Sequence, residues 1–394
     1  LAPSLSRARG ELRRLADEYE LQVDPDAVVE TLSVGHQQRV EILKALYRHA
    51  DILILDEPTG VLTPAEADHL FRILKGLRER GKTVILITHK LREIMAVTDQ
   101  VSVMRAGAMV AHRRTAETSK EELAELMVGR KVLLRVEKAR ARPREPVLEV
   151  HDLEVADDQG VRRVKGIGFS VRAGEIVGIA GVAGNGQSEL LEALAGIRPA
   201  ARGEILIRGV PVTGPAQARE QRMGHVPEDR LRVGLVKGFT AYENAILGYQ
   251  TVPAYDARGF LRLGRIVDLC RRWMSGYDVR PCEPMLQAHA FSGGNQQKLV
   301  LAREIEHDPD LLLVGQPTRG VDIGAIEFIH RRLIAMRDAG KAVLLVSVEL
   351  DEILSLSDRI LVMFDGKITG ELTAAEADER RIGLLMAGIT KEAA

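Results

Sequence analysis

The stretch TLSVGHQQRVEILKAL (31–46) returns, with substitutions, as AFSGGNQQKLVLAREI (290–305). One shift of 259 residues carries Ser33, Gly35, Gln37 and Gln38 onto Ser292, Gly294, Gln296 and Gln297. The same shift carries Pro58-Thr59 onto Pro317-Thr318, Gly81-Lys82 onto Gly340-Lys341, Gly107 onto Gly366 and Met127 onto Met386. A constant shift over so long a stretch means two copies of one supersecondary pattern. Each copy holds two short apolar runs that read as buried strands, ILILDEP (52–58) and VILITH (84–89) in the first, LLLVGQP (311–317) and VLLVSV (343–348) in the second. Between them lie amphipathic stretches, 65–80 and 325–339, each stopped by a glycine at the C-cap, Gly81 or Gly340. Strands alternating with helices predict a parallel α/β sheet.

The two copies are unequal. A glycine-rich loop, GVAGNGQS (181–188), precedes the second copy, and its counterpart under the same shift would fall before Leu1. The expected organisation is therefore the rear part of a first domain over 1–130, a basic linker over 131–146 and a complete second domain over 147–394. A chain of 394 residues exceeds what one core usually supports, which agrees with two domains. The linker, KVLLRVEKARARPREP, is expected to be a solvated tether rather than a nucleic-acid arm. Lys and Arg total 55 against 56 Asp and Glu, so no global charge draws the chain to nucleic acid or to an acidic membrane surface. The apolar runs are too short to span a bilayer, and any work at a membrane is expected to go through a partner. Cys270 and Cys282 lack metal-site spacing and read as ordinary thiols of a reducing compartment. Trp273 reads as a packing residue, and the absence of an initial Met suggests that the natural start lies upstream.

Three motifs carry chemistry. EIVGIAG (175–181) reads as a strand feeding the glycine loop and SELLEALAG (188–196) as a helix leaving it, the setting in which backbone amides and a helix N-terminus cradle phosphate. The pattern G-x-x-x-x-G-K-[ST] needs a lysine where this chain has Gln187. Gly181, Gly184, Asn185, Gly186 and Gln187 are the candidate phosphate cradle, and Ser188 keeps the hydroxyl that would ligate Mg2+. Alone, such a loop is equally a structural turn; the other motifs decide for nucleotide. Ile52 to Leu55 lead into adjacent acids, Asp56 for Mg2+ and Glu57 as a general base that polarises water. Thr88-His89 closes the following strand.

LSVGHQQ and FSGGNQQK resemble the signature motif of ATP-binding cassette (ABC) ATPases, and signature, Walker B acids and switch histidine follow in that family's order. The resemblance covers nearly the whole chain. It implies an α/β fold of two RecA-like P-loop ATPase cassettes, the first incomplete at its N-terminus, each with a helical signature subdomain. It also implies ATP and Mg2+ as cofactors. In that family two cassettes face head to tail, so Ser33 and Gly35, and Ser292, Gly293, Gly294 and Asn295, are implied nucleotide contacts through the γ-phosphate. With VPEDRLRVGLVKGFTAYENAILG (226–248) after the loop, the chain looks like the ATPase subunit of simple-sugar and nucleoside importers, and GNGQSE points to the nucleoside branch. The implied partners are integral-membrane permease subunits and, through them, a periplasmic or lipoprotein solute-binding protein, with no nucleic acid. The implied location is peripheral, on the cytoplasmic face of the cell membrane. The competing reading is a soluble tandem cassette ATPase acting on nucleic acid or the ribosome; such chains usually carry zinc cysteines or long basic linkers, and this one has neither.

Transferring the roles by position exposes an asymmetry. Asp56, Glu57 and His89 correspond to Gly315, Gln316 and Val348. Glu228 stands where the family usually has glutamine, Thr63 stands opposite Asp322, and no Phe, Tyr or Trp lies between Pro146 and Gly168, where the family usually stacks adenine. The expectation is hydrolysis at Asp56, Glu57 and His89, with a degenerate, nucleotide-holding site at 181–188. The 394-residue chain alone is expected to be a poor ATPase.

Overall fold

The computed structural model describes residues 5–19, 21–32, 34–59, 64–105, 107–131, 136, 138–182, 184–321 and 323–389. The chain divides into two compact units, Leu1–Leu134 and Arg135–Ala394. In the first unit the order is α1 (Leu5–Glu18), α2 (Val34–Tyr47), β1 (Ile52–Asp56), α3 (Pro64–Glu79), β2 (Thr83–Ile87), α4 (Leu91–Val97), β3 (Gln100–Arg105), β4 (Ala108–Arg114) and α5 (Lys120–Val128). β1 and β2 pair in parallel, Ile52 opposite Thr83 and Asp56 opposite Ile87, while β3 and β4 form a separate antiparallel pair. Leu15, Ile42, Leu46, Leu53, Leu70 and Leu74 pack α1, α2 and α3 onto one face of β1. Gly81 follows α3 at φ 80°, the left-handed geometry that a C-cap glycine tolerates.

The second unit begins with β5 (Pro146–Ala156), β6 (Arg162–Arg172), β7 (Ile176–Gly181), α6 (Gln187–Leu194), β8 (Arg202–Ile207), β9 (Val210–Pro211), α7 (Pro215–Glu220) and β10 (Met223–Val226). A helical insertion follows: α8 (Ala241–Ala245), a short β11–β12 pair (Asp256–Ala257 and Phe260–Leu261), α9 (Leu263–Gly276) and α10 (Gly293–Glu306). The chain then returns through β13 (Leu311–Gly315), α11 (Ile323–Asp338), β14 (Ala342–Ser347), α12 (Leu350–Leu356), β15 (Arg359–Phe364), β16 (Lys367–Thr373) and α13 (Glu379–Met386).

Six strands form the central sheet in the order β10-β13-β14-β7-β15-β16, parallel except for the last pair. Both faces are covered, as a parallel sheet requires. Successive residues of β13 and β14 alternate between two cores: Leu312, Val314, Val343 and Leu345 join α10, α11 and α12, whereas Leu311, Leu313, Leu344 and Val346 join α6 and the antiparallel β6-β5-β8-β9 sheet. Trp273 is buried in the first of these cores. The basic stretch after residue 131 does not stay in water at Lys138. Its ammonium donates to the carbonyls of Leu356 and Ser357 at 2.8 and 2.6 Å, and burial lowers its pKa despite Asp358 at 3.3 Å.

The expectation of two RecA-like cassettes, each with a helical signature subdomain, is corrected. The structure holds one RecA-like P-loop domain with one helical subdomain, and both belong to the second unit. The repeat is real in local geometry: Arg78–Asp99 (2.8 Å) and Lys82–Asp51 (2.8 Å) recur after 259 residues as Arg337–Asp358 (2.9 Å) and Lys341–Asp310 (3.2 Å). What does not recur, among the described residues, is a central loop-bearing strand. β7 lies between β14 and β15, but β2 pairs with β1 alone. Ile52, Ile54, Ile85 and Ile87 are accordingly 60, 63, 46 and 51% exposed, against 0, 0, 0 and 1% for Leu311, Leu313, Leu344 and Val346.

Leu344→Ala is expected to cost about 2–5 kcal/mol through the cavity it leaves, read as an earlier denaturant midpoint of Trp273 fluorescence. Ile85→Ala, at an exposed position, should change stability by less than about 1 kcal/mol by circular dichroism.

Candidate functional site

β7 delivers the chain into the glycine loop at the middle of the sheet. Gly184 and Gly186 take φ values of 88° and 101°, and a Cβ at Gly186 would collide with the carbonyl of Arg163, so this loop needs glycine there. α6 starts directly at Gln187, which is only 5% exposed. Both polar ends of its side chain are used inside the loop: Oε1 accepts from the Asn185 amide at 3.1 Å, and Nε2 donates to the Val182 carbonyl at 3.0 Å. Asn185 adds a second brace. Its Nδ2 donates to the same Val182 carbonyl, its Oδ1 accepts from Asp365 N at 2.8 Å, and its carbonyl accepts from Gly366 N at 3.0 Å. The residue in the lysine position therefore holds the loop together from within. Ser188 remains exposed, and its hydroxyl donates to Glu228 Oε2 at 2.5 Å.

The ends of β1 and β13 share a backbone and differ in chemistry. Glu57 and Gln316 both take left-handed φ values, 43° and 46°, and their amides donate to the Ile87 and Val346 carbonyls, each at 2.8 Å. In the first unit Asp56 and Glu57 are exposed, and His89 Nδ1 lies 2.9 Å from Glu57 Oε1. In the second unit Gly315 brings no carboxylate, and Gln316 Oε1 accepts from the Val348 amide at 3.3 Å. A carboxylate beside a histidine in one copy thus becomes an amide side chain satisfied by backbone in the other.

Ser292 stands at the N-cap position of α10 without a side-chain cap bond, and Gly293 and Gly294 open the helix, leaving first-turn amides without intrahelical acceptors. Asn295 Nδ2 donates to Ser292 Oγ at 2.9 Å, and its Oδ1 accepts from Arg280 N at 2.9 Å, which fixes the serine. Gln296 Nε2 donates to the Ala288 carbonyl at 3.0 Å, as Gln37 does to Val29 at 3.2 Å. Gly35 falls within α2, while Ser33, Thr63 and Asp322 lie outside the described residues.

Two features were not foreseen from sequence. Arg230, in the turn after β10, donates through Nη1 to the Arg319 carbonyl at 2.8 Å and packs against Gly293. Its only sequence signal was the Glu228-Asp229-Arg230 run. Glu304, farther along α10, is fully buried and accepts from Arg303 Nε (2.6 Å), His225 N (3.1 Å), Tyr249 OH (3.1 Å) and Arg219 Nη1 (3.3 Å). Burial alone would raise its carboxyl pKa, but the Arg303 and Arg219 charges outweigh it and hold it at about 2. Burial pushes His225 down to about 4 against the pull of Glu304. This network joins β10 to α10 and so to the Ser292 end.

These features define the class, a P-loop nucleotide-binding domain of RecA type. The ABC transporter family model matches residues 6–60 and 164–319, more than half of the chain. The nucleoside import ATP-binding protein NupA of Lactococcus lactis subsp. cremoris is 50% identical over 386 residues, covering 98% of this chain and 76% of that protein. The guanosine import ATP-binding protein NupO of Bacillus subtilis is 49% identical over 390 residues, with the same coverage, and the glucose import ATP-binding protein TsgD13 of Haloferax volcanii is 46% identical over 381, covering 96% and 69%. Among solved structures, an ATP-binding subunit of an ABC transporter superposes with a TM-score of 0.51 at 21% identity over 61% of this chain and 99% of its own, which supports the fold. The chain belongs to the ABC transporter ATP-binding subunit family, among relatives of the sugar and nucleoside importers. That family uses ATP and Mg2+. Among the described residues no helix is long and apolar enough to cross a membrane.

The His225 imidazole takes a proton near 6.5 when unfolded and at about 4 when folded, so between those values the unfolded chain binds more protons. Stability is expected to fall as pH drops through that window, on the order of 3 kcal/mol from this group. Urea unfolding followed by Trp273 fluorescence at pH 7 and pH 4.5 should show the loss, and His225→Asn should flatten it.

Proposed function

We propose that this chain is an ATPase subunit that powers import of a nucleoside through partner permeases, with a simple sugar as the second candidate solute. The nearness of the nucleoside and guanosine import proteins, at 50% and 49% identity, supports that choice. Hydrolysis falls to Asp56, Glu57 and His89, and the 181–188 loop holds nucleotide without turning it over. The observation that carries this division is the Glu57–His89 pair at 2.9 Å, against Gln316 bound to the backbone amide of Val348.

Each residue has a distinct role. Glu57 accepts the proton of the attacking water, and His89, held by Glu57, faces the γ-phosphate. Asp56 supports Mg2+, which when bound neutralises charge on the phosphates. Ser292, Gly293, Gly294 and Asn295, with Ser33 and Gly35 in the repeated segment, offer hydroxyl and helix N-terminal amides to a γ-phosphate. At 181–188 the cradle consists of Gly181, Gly184, Asn185, Gly186, Gln187 and Ser188, with Ser188 the hydroxyl for Mg2+. The lysine's charge-assisted contact is missing there, a loss of roughly 1.5–3 kcal/mol in phosphate binding. The subunit works on the cytoplasmic face of the membrane, docked on integral-membrane permeases that receive solute from a binding protein.

In the importer assembled on its permease, Glu57→Gln is expected to lower phosphate release by about 10²–10⁴-fold, while Gln187→Ala keeps most of it. The opposite pattern removes hydrolysis from Glu57. Uptake of labelled guanosine against labelled ribose by the same importer distinguishes the two solute classes.

A further inference from the structure

Behind the Glu57–His89 pair lies a second rung between the same two segments. Two residues past Glu57 stands Thr59, and four past His89 stands Glu93, in the first turn of α4. The Thr59 hydroxyl donates to Glu93 Oε1, and the two residues are only 4 and 3% exposed. Segments 57–59 and 89–93 are therefore tied twice, on the exposed side by Glu57 and His89 and inside by Thr59 and Glu93. The other carboxylate oxygen of Glu93 is buried with no hydrogen-bond partner among the described residues. A buried carboxylate with one neutral partner is costly, so packing alone does not favour glutamate there.

The shift of 259 residues carries Thr59 onto Thr318 and Glu93 onto Glu352. Both are buried again, at 7 and 3% exposure, so the second unit keeps the same two groups. It does not keep the rung. Glu352 Oε1 lies 3.1 Å from His330 Nε2, on α11, where the first copy has the apolar Phe71. The backbone at Glu57 and Gln316 is the same in both copies, so neither the left-handed turn nor the amide bond to the next strand needs the rung. What goes with it is the side-chain pair: the rung is made where Glu57 meets His89 and absent where Gln316 meets a backbone amide. α4 has only seven residues and no side-chain cap, and its buried Ile94 packs with Val101, Val103 and Leu123 of β3 and α5. A bond from Glu93 to the turn after β1 sets its first turn against Glu57.

We propose that Glu93 is a positioning residue for hydrolysis: through the Thr59 hydroxyl it sets the first turn of α4, and with it His89, against Glu57. The inference rests on the reading that hydrolysis falls to Glu57. A general base acts only at the right distance from its water, and misplacing such a group by about an ångström costs rate rather than substrate affinity. Loss of the rung leaves both side chains present and loosens the distance between them. The matching glutamate of the second unit, turned to His330, has no such pair to hold.

The test is steady-state phosphate release by the importer assembled on its permease, with kcat and the KM for ATP measured separately. Thr59→Val keeps the shape of threonine without its hydroxyl; Glu93→Leu removes the acceptor and Glu93→Gln keeps one. Thr59→Val and Glu93→Leu are each expected to lower kcat about ten- to a hundredfold, with KM within about twofold of wild type. The double variant should be no slower than the slower single one, since both remove one bond. Thr59→Ser should recover most of the rate lost in Thr59→Val, and Glu93→Gln most of that lost in Glu93→Leu. Thr318→Val, likewise buried in the second unit, should behave as wild type. Full kcat in Thr59→Val, additive losses in the double variant, or an equal loss in Thr318→Val overturns the inference, while Glu57→Gln run alongside still abolishes release. Retained release in Glu57→Gln overturns instead the placement of hydrolysis at Glu57. Melting of each variant by circular dichroism identifies any that lose their fold, and Thr59→Val, which adds no volume, carries the test if Glu93→Leu is one of them.

Discussion

The placement of β7 between β14 and β15 is the constraint on which the second unit depends. A parallel strand buried on both faces must be apolar throughout, and Ile176 to Gly181 are all buried. Its C-terminal end then opens at the middle of the sheet edge, where α6 begins and where β13 and β14 also end. The loop, Gly315, Gln316 and Val348 are brought together because adjacent parallel strands end side by side. In the first unit β1 and β2 end side by side too, which is why Glu57 and His89 meet. That pair has no third strand among its described residues, and Ile52, Ile54, Ile85 and Ile87 on one of its faces are exposed.

Comparing the two copies separates what geometry conserves from what chemistry changes. The left-handed backbone at Glu57 and Gln316, their amide bonds to the next strand and two ion pairs recur almost unaltered. The side chains at and beyond the strand ends, Asp56, Glu57 and His89 against Gly315, Gln316 and Val348, do not. Gln316 trades a histidine partner for a backbone amide, and Gln187 trades a phosphate contact for two bonds inside its own loop. Each substitution leaves a satisfied group rather than a defect, since an unpaired buried polar group is costly. The degenerate loop is thus a stable structure in its own right.

Much of this site was legible from residue spacing alone. The shift of 259 aligned both strand pairs, the C-cap glycines and the lost acids, because those features lie within short segments. The strand-loop-helix setting of Gln187 also followed from sequence. Its inward fold did not, because glutamine can either reach outward or satisfy itself, and only the packed loop shows which. Glu304 escaped notice because nothing local marks a glutamate in a helix as fully buried; its partners come from β10, α7 and the segment after α8 as well as from its own neighbour Arg303. The error about architecture has the same source. A repeat specifies local elements, whereas a RecA-like sheet exists only when a central strand joins them.

The sequence by itself determined the family, the repeated strand-helix-strand pattern, and which copy carries Asp56, Glu57 and His89, because residue identity and spacing are one-dimensional facts. Tertiary structure decided that Gln187 turns into its loop and that Glu228 occupies the space left by Gly315. Those outcomes depend on which strands pair and on the volume beside each residue, and segments far apart in the chain supply both.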